Sequence, residues 1–357
     1  MSSSTTCLTM PTPTVIRRQV DLVLEDFLGR QQSGEAHEPP MPAQMREVIG
    51  QYVMRGGKRL RSLLCVVGWY AGGGNYLARS VVNVAASLEM FHACALLLDD
   101  VMDESHVRRG QPTAHRALAG LRDGDQARRF GANAAILLGN LALSWSDELL
   151  RSADLTPRQL RQVGAEIDSM RRATVYGQYQ DLLAAFTRTP QVDKALFIAR
   201  NKTARYTVDA PLRAGAVIAG ADDESLSRLS DFALPLGIGY QIRDDILGVF
   251  GDPAETGKPR GDDLRDGKCT LLAALGVSRA DSPDARRLTH LLSGPLGPDE
   301  EAEARDLLVT TGAREAAETQ AAALQQQALD ALTGAPFPPE ILDILRRLAD
   351  ELTLRTK

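Results

Sequence analysis

Residues 96–110 read LLLDDVMDESHVRRG: an apolar run meets three aspartates within five positions, then two arginines and a glycine. At helical spacing Asp99 and Asp103 share one face a turn apart, with Asp100 beside them. Like charges so placed destabilise a helix, and burying them unpaired is costly. Exposure, pairing with arginine or a metal would relieve the charge. The preceding Ala93–Leu98 run is apolar, so exposure alone is a poor account. Hard carboxylate oxygens without Cys or His nearby suit Mg²⁺, which retains waters and shares its remaining positions with phosphate oxygens. Arg108 and Arg109 would then meet those phosphates. Taken alone, a solvated helix end with plain Asp–Arg pairs is the simpler account.

A second acidic pair changes the balance. Asp244 and Asp245 stand late in the apolar stretch GYQIRDDILGVF, and a loop containing Lys258 and Lys268 follows. Two acidic ends on separate apolar helices suggest one shared cavity, where several Mg²⁺ ions would clamp a diphosphate and stabilise it as a leaving group. Lys202, Lys258 and Lys268 are candidates for the same anion. A third piece, MRGGKRLRSLL at 54–64, sets Gly56 and Gly57 beside Lys58, Arg59 and Arg61 and predicts a second anion pocket.

The elements that must position these residues are helices. Ala- and Leu-rich stretches with apolar residues recurring at three and four run between breaks at DLTP, TRTP, AGADDES, ADSPDA, SGPLGPDEE and TGAPFPPE, and strand signals are nearly absent. Thr156 before Pro157 and Ser282 before Pro283 read as helix caps. We expect one all-α domain over 14–357, preceded by a disordered Ser-, Thr- and Pro-rich tail at 1–13. The 357 residues carry a net charge of −5 with both signs interspersed, which argues against a nucleic-acid or membrane-surface partner. No uninterrupted apolar run approaches the roughly 18 residues of a membrane span, and no secretion signal is evident, so we expect a cytoplasmic protein. Four scattered cysteines without CxxC spacing point to neither a disulfide framework nor a zinc site.

Together GGKRLR, DDVMDESHVRRG, GQYQDLL, KTARYTV, GYQIRDD and GKPRGDDLRDGK resemble the motifs of the trans isoprenyl diphosphate synthases, the polyprenyl synthetase family, in that family's order. The likeness runs from about residue 20 to 350 and is nearest to bacterial geranylgeranyl diphosphate synthases. It implies an antiparallel all-helical bundle around a deep central cavity, a homodimer, and Mg²⁺-dependent condensation of isopentenyl diphosphate with an allylic diphosphate, with three ions when diphosphate is bound. By the same resemblance Asp99, Asp100, Asp103 and Asp244 would ligate metal, with Asp245 behind them. Arg108 would hold the allylic diphosphate, and Gly57, Lys58, Arg61, His92 and Arg109 the isopentenyl diphosphate. Lys202, Thr203, Gln241 and Lys258 would line the reacting end.

The chain departs from the family's pattern in places. Gly248 stands where many relatives carry a third aspartate, Ser62 replaces a proline and Leu98 replaces a histidine. Asn140, Ser144 and Glu148 have the spacing by which class I terpene cyclases hold metal, but they come too early in the chain. A non-catalytic regulatory subunit would have lost acids that are present here. For chain length, small Ala95 and Cys94 stand four and five positions before Asp99, and Phe91 is the next stop, which points to a C20 product rather than farnesyl or longer chains.

Overall fold

Alanine and leucine at helical spacing produce helix nearly throughout. The computed structural model describes residues 10–33, 41–55, 57–121, 124, 126–252, 261–265, 267–278 and 282–353. The tail to residue 9, most of the 33–42 loop, Gly56 and the 253–260 stretch containing Lys258 lie outside the described residues. The helices are α1 (Pro13–Ser33), α2 (Ala43–Met54), α3 (Leu60–Ala71), α4 (Arg79–Met102), α5 (Ala114–Ala119), α6 (Ala127–Arg151), α7 (Pro157–Thr187), α8 (Val192–Ile198), α9 (Ala210–Ala219) and α10 (Asp223–Phe250). They continue with α11 (Asp262–Arg265), α12 (Leu271–Val277), α13 (Pro283–Leu292), α14 (Pro298–Thr310), α15 (Ala313–Ala331) and α16 (Pro339–Thr353). Breaks fall where proline, glycine and acidic clusters predict them. Ser282 Oγ accepts the Ala285 amide at 3.0 Å, and Thr156 exchanges bonds with Gln159 as a capping box.

The chain divides into two compact units, Met1–Gly164 with Pro211–Asp222, and Ala165–Ala210 with Asp223–Lys357. In the first, α4 is the core helix, packed by α1, α2, α3, α5 and α6. Among the described residues only α4 is long and apolar enough to cross a membrane, and 72% of its most apolar stretch is buried inside the protein. The one strand pairing among the described residues follows it. Val107–Arg108 (β1) pairs antiparallel with Gln111–Pro112 (β2). Arg109 and Gly110 turn the hairpin with φ of 51° and 72°. Two successive positive φ values make the tight turn that hairpins favour, which Gly110 takes without strain and Arg109 adopts as a non-glycine residue.

In the second unit α10 packs against α15 and against an 11-residue π-helix, Ala199–Asp209. Ile242, Ile246 and Val249 of α10 enter a core with Leu271, Leu288, Leu308 and Ala317. π-Helical backbone is rare and recurs at functional sites; here it carries Lys202 and Thr203.

Candidate functional site

The acidic end of α4 separates its three aspartates. Asp99, with a 23% exposed side chain, lies on a part-exposed stripe with His92, Ala95, Leu96 and Asp103. Asp103 closes the helix, its amide donating to the Asp99 carbonyl at 2.8 Å. Asp100 points the other way and is fully enclosed. Arg108 Nε donates to both its oxygens at 2.8 Å, and Arg108 Nη2 lies 2.7 Å from Oδ1 and 3.4 Å from Asp99. The Tyr52 hydroxyl donates to Asp100 Oδ2 at 2.7 Å and accepts the Ala114 amide at 2.8 Å. Asp–Arg pairing therefore engages Asp100 closely and Asp99 at longer range, while Asp99 and Asp103 remain part-exposed. Burial works against the Arg108 charge, but the Asp100 hydrogen bonds and charge outweigh it and hold the guanidinium above its ordinary range. Burial, then the Asp100 charge, pushes the Tyr52 hydroxyl well above the usual tyrosine value. Tyr52 is a site residue that sequence reasoning missed, since nothing in IGQYVM marks its partner 48 positions away.

The basic residues near this end also sort into two groups. Arg109 donates to the Arg55 carbonyl, and a small pocket is lined by Tyr52, Arg55, Leu96, Arg108, Arg109 and Gln111. Gly57 and Lys58 are exposed, and a Cβ at Gly57 would stand 3.2 Å from Arg109 Nη2. Burial, then the charges of Arg61, Arg109, Arg108 and Arg59, pulls the His92 pKa well below its ordinary value, so His92 is neutral near pH 7. With Arg108 matched by Asp100, Arg61 and Arg109 are the cations beside this ring that suit an anion. Arg59 is the exception, buried with its guanidinium on Asp21, Glu89 and the Val53 carbonyl. Ser62, in place of proline, donates its amide and hydroxyl to the same Glu89 at 3.2 and 3.0 Å, and a proline has no amide to give.

In the second unit the Lys202 ammonium donates to Asp181 at 2.6 Å. The Thr203 hydroxyl donates to Gln241 Oε1 at 2.6 Å, and Gln241 Nε2 donates to Asp245 Oδ1 at 2.7 Å. Gly177 allows the approach, because a Cβ there would lie 2.4 Å from the Lys202 amide nitrogen. Gln178 Nε2 is enclosed without a hydrogen-bond partner among the described residues. Asp244 is exposed. Burial, then the charge of Asp263, raises the Asp245 carboxyl well above the usual carboxylate range; Asp244 and Asp181 add to this and the Gln241 bond opposes it.

Asp263 also accounts for Gly248. The Gly261 amide donates to the Gly248 carbonyl at 3.0 Å, and a Cβ on Gly248 would fall 2.5 Å from Asp263 Oδ2. Lys268 sits 3.2 Å from the other oxygen of Asp263. The space that a third aspartate of α10 would enter holds a carboxylate delivered from α11 instead.

The carboxylate oxygens of Asp99, Asp103 and Asp244 are the donor type that a hard divalent ion takes. Among the described residues no three His, Cys, Asp or Glu side chains are grouped so as to hold a metal ion by themselves. A Mg²⁺ ion held by one or two of these carboxylates would take its remaining positions from waters and phosphate oxygens. The cyclase-like triad does not converge: Asn140 and Ser144 bond back to their own helix, and Glu148 accepts from Gln31.

The polyprenyl synthetase family model matches residues 42–309, three quarters of the chain. The chain belongs to the polyprenyl synthetase family. It is accordingly an isoprenyl diphosphate synthase, a prenyltransferase, and its family is magnesium-dependent. It is 33% identical to a geranylfarnesyl diphosphate synthase of Aeropyrum pernix over 85% of this chain and 92% of that one. Identity to a nonaprenyl diphosphate synthase of Mycobacterium tuberculosis is 32%, over 84% and 85%. Its fold matches the crystal structure of geranylgeranyl pyrophosphate synthase from Corynebacterium glutamicum complexed with isoprenyl diphosphate and magnesium, with a TM-score of 0.88, 35% identity, and coverage of 96% and 98%. The expected all-helical isoprenoid synthase fold is thereby shown.

Proposed function

We propose that this synthase joins isopentenyl diphosphate to an allylic diphosphate and releases geranylgeranyl diphosphate, with Asp99, Asp103 and Asp244 as metal-holding carboxylates. Bound magnesium, three ions with diphosphate in place, supplies charge neutralisation of the leaving diphosphate. Arg108 holds the allylic diphosphate. Gly57, Lys58, Arg61, Arg109 and neutral His92 take the isopentenyl diphosphate. Thr203 and Gln241, fixed by their hydrogen-bond chain, and Lys202, fixed by Asp181, are assigned to the reacting end by the family resemblance; the allylic C–O bond breaks as diphosphate leaves, the isopentenyl double bond attacks the cation, and a proton passes to the departing diphosphate.

Chain length is the finer part of this reading. The observation that carries it is Ala95, small and on the same part-exposed stripe as Asp99, one turn or about 6 Å beneath it. The Corynebacterium structure supports C20, and the Aeropyrum and Mycobacterium relatives bear the names of longer-chain enzymes. Chromatography of products from each short allylic diphosphate tests the proposal. A dominant C15 or C25 product removes it.

Ala95→Phe is expected to shift the dominant product below C20 by placing a ring on the stripe. An unchanged distribution would exclude this wall. Cys94 and Phe91, only 3% and 7% exposed, are packed inside rather than on the stripe. Cys94→Phe therefore overpacks the core, and Phe91→Ala opens a cavity that destabilises by about 3–5 kcal/mol.

We also propose a homodimer. Val175, Tyr176, Tyr179, Leu182, Leu183 and Phe186 form an exposed apolar stripe on α7, and Phe186 is 87% exposed. An exposed apolar stripe of this kind is what an association face between two chains would bury. Light scattering should return twice the chain mass; a monomer mass at micromolar concentration would contradict this.

A further inference from the structure

We propose that Tyr52 is a positioning residue for Arg108, acting through Asp100. The proposal rests on the reading of Arg108 as the allylic diphosphate ligand. The Tyr52 hydroxyl ties three segments: it sits on α2, accepts the Ala114 amide at the start of α5, and donates to Asp100 near the end of α4. Asp100 is enclosed, and its two oxygens together take the Tyr52 hydroxyl, Arg108 Nε and Arg108 Nη2. A carboxylate so engaged serves as a bracket for a guanidinium. Arg108 leaves only 21% of its side chain exposed, and its Nη2 reaches within 3.4 Å of Asp99. The bracket therefore sets the arginine against the aspartate that we assign to metal.

A free arginine samples many rotamers, and fixing it in advance lowers the entropy lost on binding an anion. Tyr52→Phe keeps the ring but leaves the Ala114 amide and one Asp100 oxygen enclosed without this partner, which loosens the bracket.

The test uses the full chain with an allylic diphosphate and Mg²⁺. Tyr52→Phe should raise KM for the allylic diphosphate about tenfold, with kcat and the Mg²⁺ concentration for half activity nearly unchanged. In an Arg108→Gln background the same change should have no further effect. Unchanged KM in Tyr52→Phe, or additive losses in the double variant, overturns the proposal. If Tyr52→Phe does not fold, Asp100→Asn gives the reading: raised KM at unchanged Mg²⁺ demand supports the bracket, and raised Mg²⁺ demand makes Asp100 a metal ligand and overturns it. Wild-type turnover separates the two readings. Should the wild type transfer no prenyl group, the functional reading falls, and the bracket is then tested by calorimetric titration with inorganic diphosphate and Mg²⁺. Tenfold weaker binding by Tyr52→Phe supports it and equal binding overturns it.

Discussion

Asp99→Asn is expected to lower kcat by about a thousandfold while leaving the unfolding midpoint close to that of the wild type. The carboxylate is part-exposed at the end of α4, with Arg108 Nη2 3.4 Å away, and the amide of asparagine keeps its shape, so the fold loses little when the charge is removed. The reaction depends on the developing charge of a diphosphate leaving group being met at the transition state, and losing one member of such a constellation typically costs about 3–4 kcal/mol. Steady-state kinetics over a Mg²⁺ series would show the loss, together with a higher metal demand. A variant within tenfold of wild type would remove Asp99 from the metal-holding set. Asp100→Asn is the informative contrast, because its carboxylate is spent on Arg108 and Tyr52 and its loss should appear in KM rather than in metal demand.

Arg59→Met is expected to destabilise the protein by about 3–5 kcal/mol, with the folded fraction retaining its KM values. The guanidinium is 3.4 Å from Glu89 and 2.9 Å from Asp21, and Glu89 is only 4% exposed. Removing the cation leaves a buried carboxylate without its compensating charge, and this costs far more than an exposed ion pair contributes. Thermal and urea unfolding would measure it. An unfolding midpoint equal to wild type would show that Glu89 is satisfied by Ser62 alone. The double change Arg59→Met with Glu89→Leu should recover much of the loss, since no charge is then left buried.

These two residues illustrate how far reading by residue type reaches. In GGKRLR the three cations look equivalent, yet Lys58 is exposed, Arg61 belongs with the cations around His92, and Arg59 is a core strut. In DDVMD the three acids look equivalent, yet Asp100 is enclosed between Tyr52 and Arg108 while Asp99 and Asp103 are part-exposed. At Gly248 the chain looks one carboxylate short until Asp263 is found over the glycine. Nothing local foretells the π-helix of 199–209, because its residues suit an ordinary helix; it packs against α10.

The helical class, the breaks between helices, the Thr156 and Ser282 caps, and the chemical kind of site, carboxylates at apolar helix ends beside basic loops, are all legible in the residues alone. Those features depend on periodicity, turn residues and donor type, which neighbouring positions carry. The tertiary structure decided which aspartate is held by an arginine, which arginine is a strut, which residues of α4 share a stripe with Asp99, and that Tyr52 belongs to the site. The reason is that hydrogen-bond partners and burial come from segments dozens of residues apart, and their meeting depends on how helices pack rather than on any local pattern.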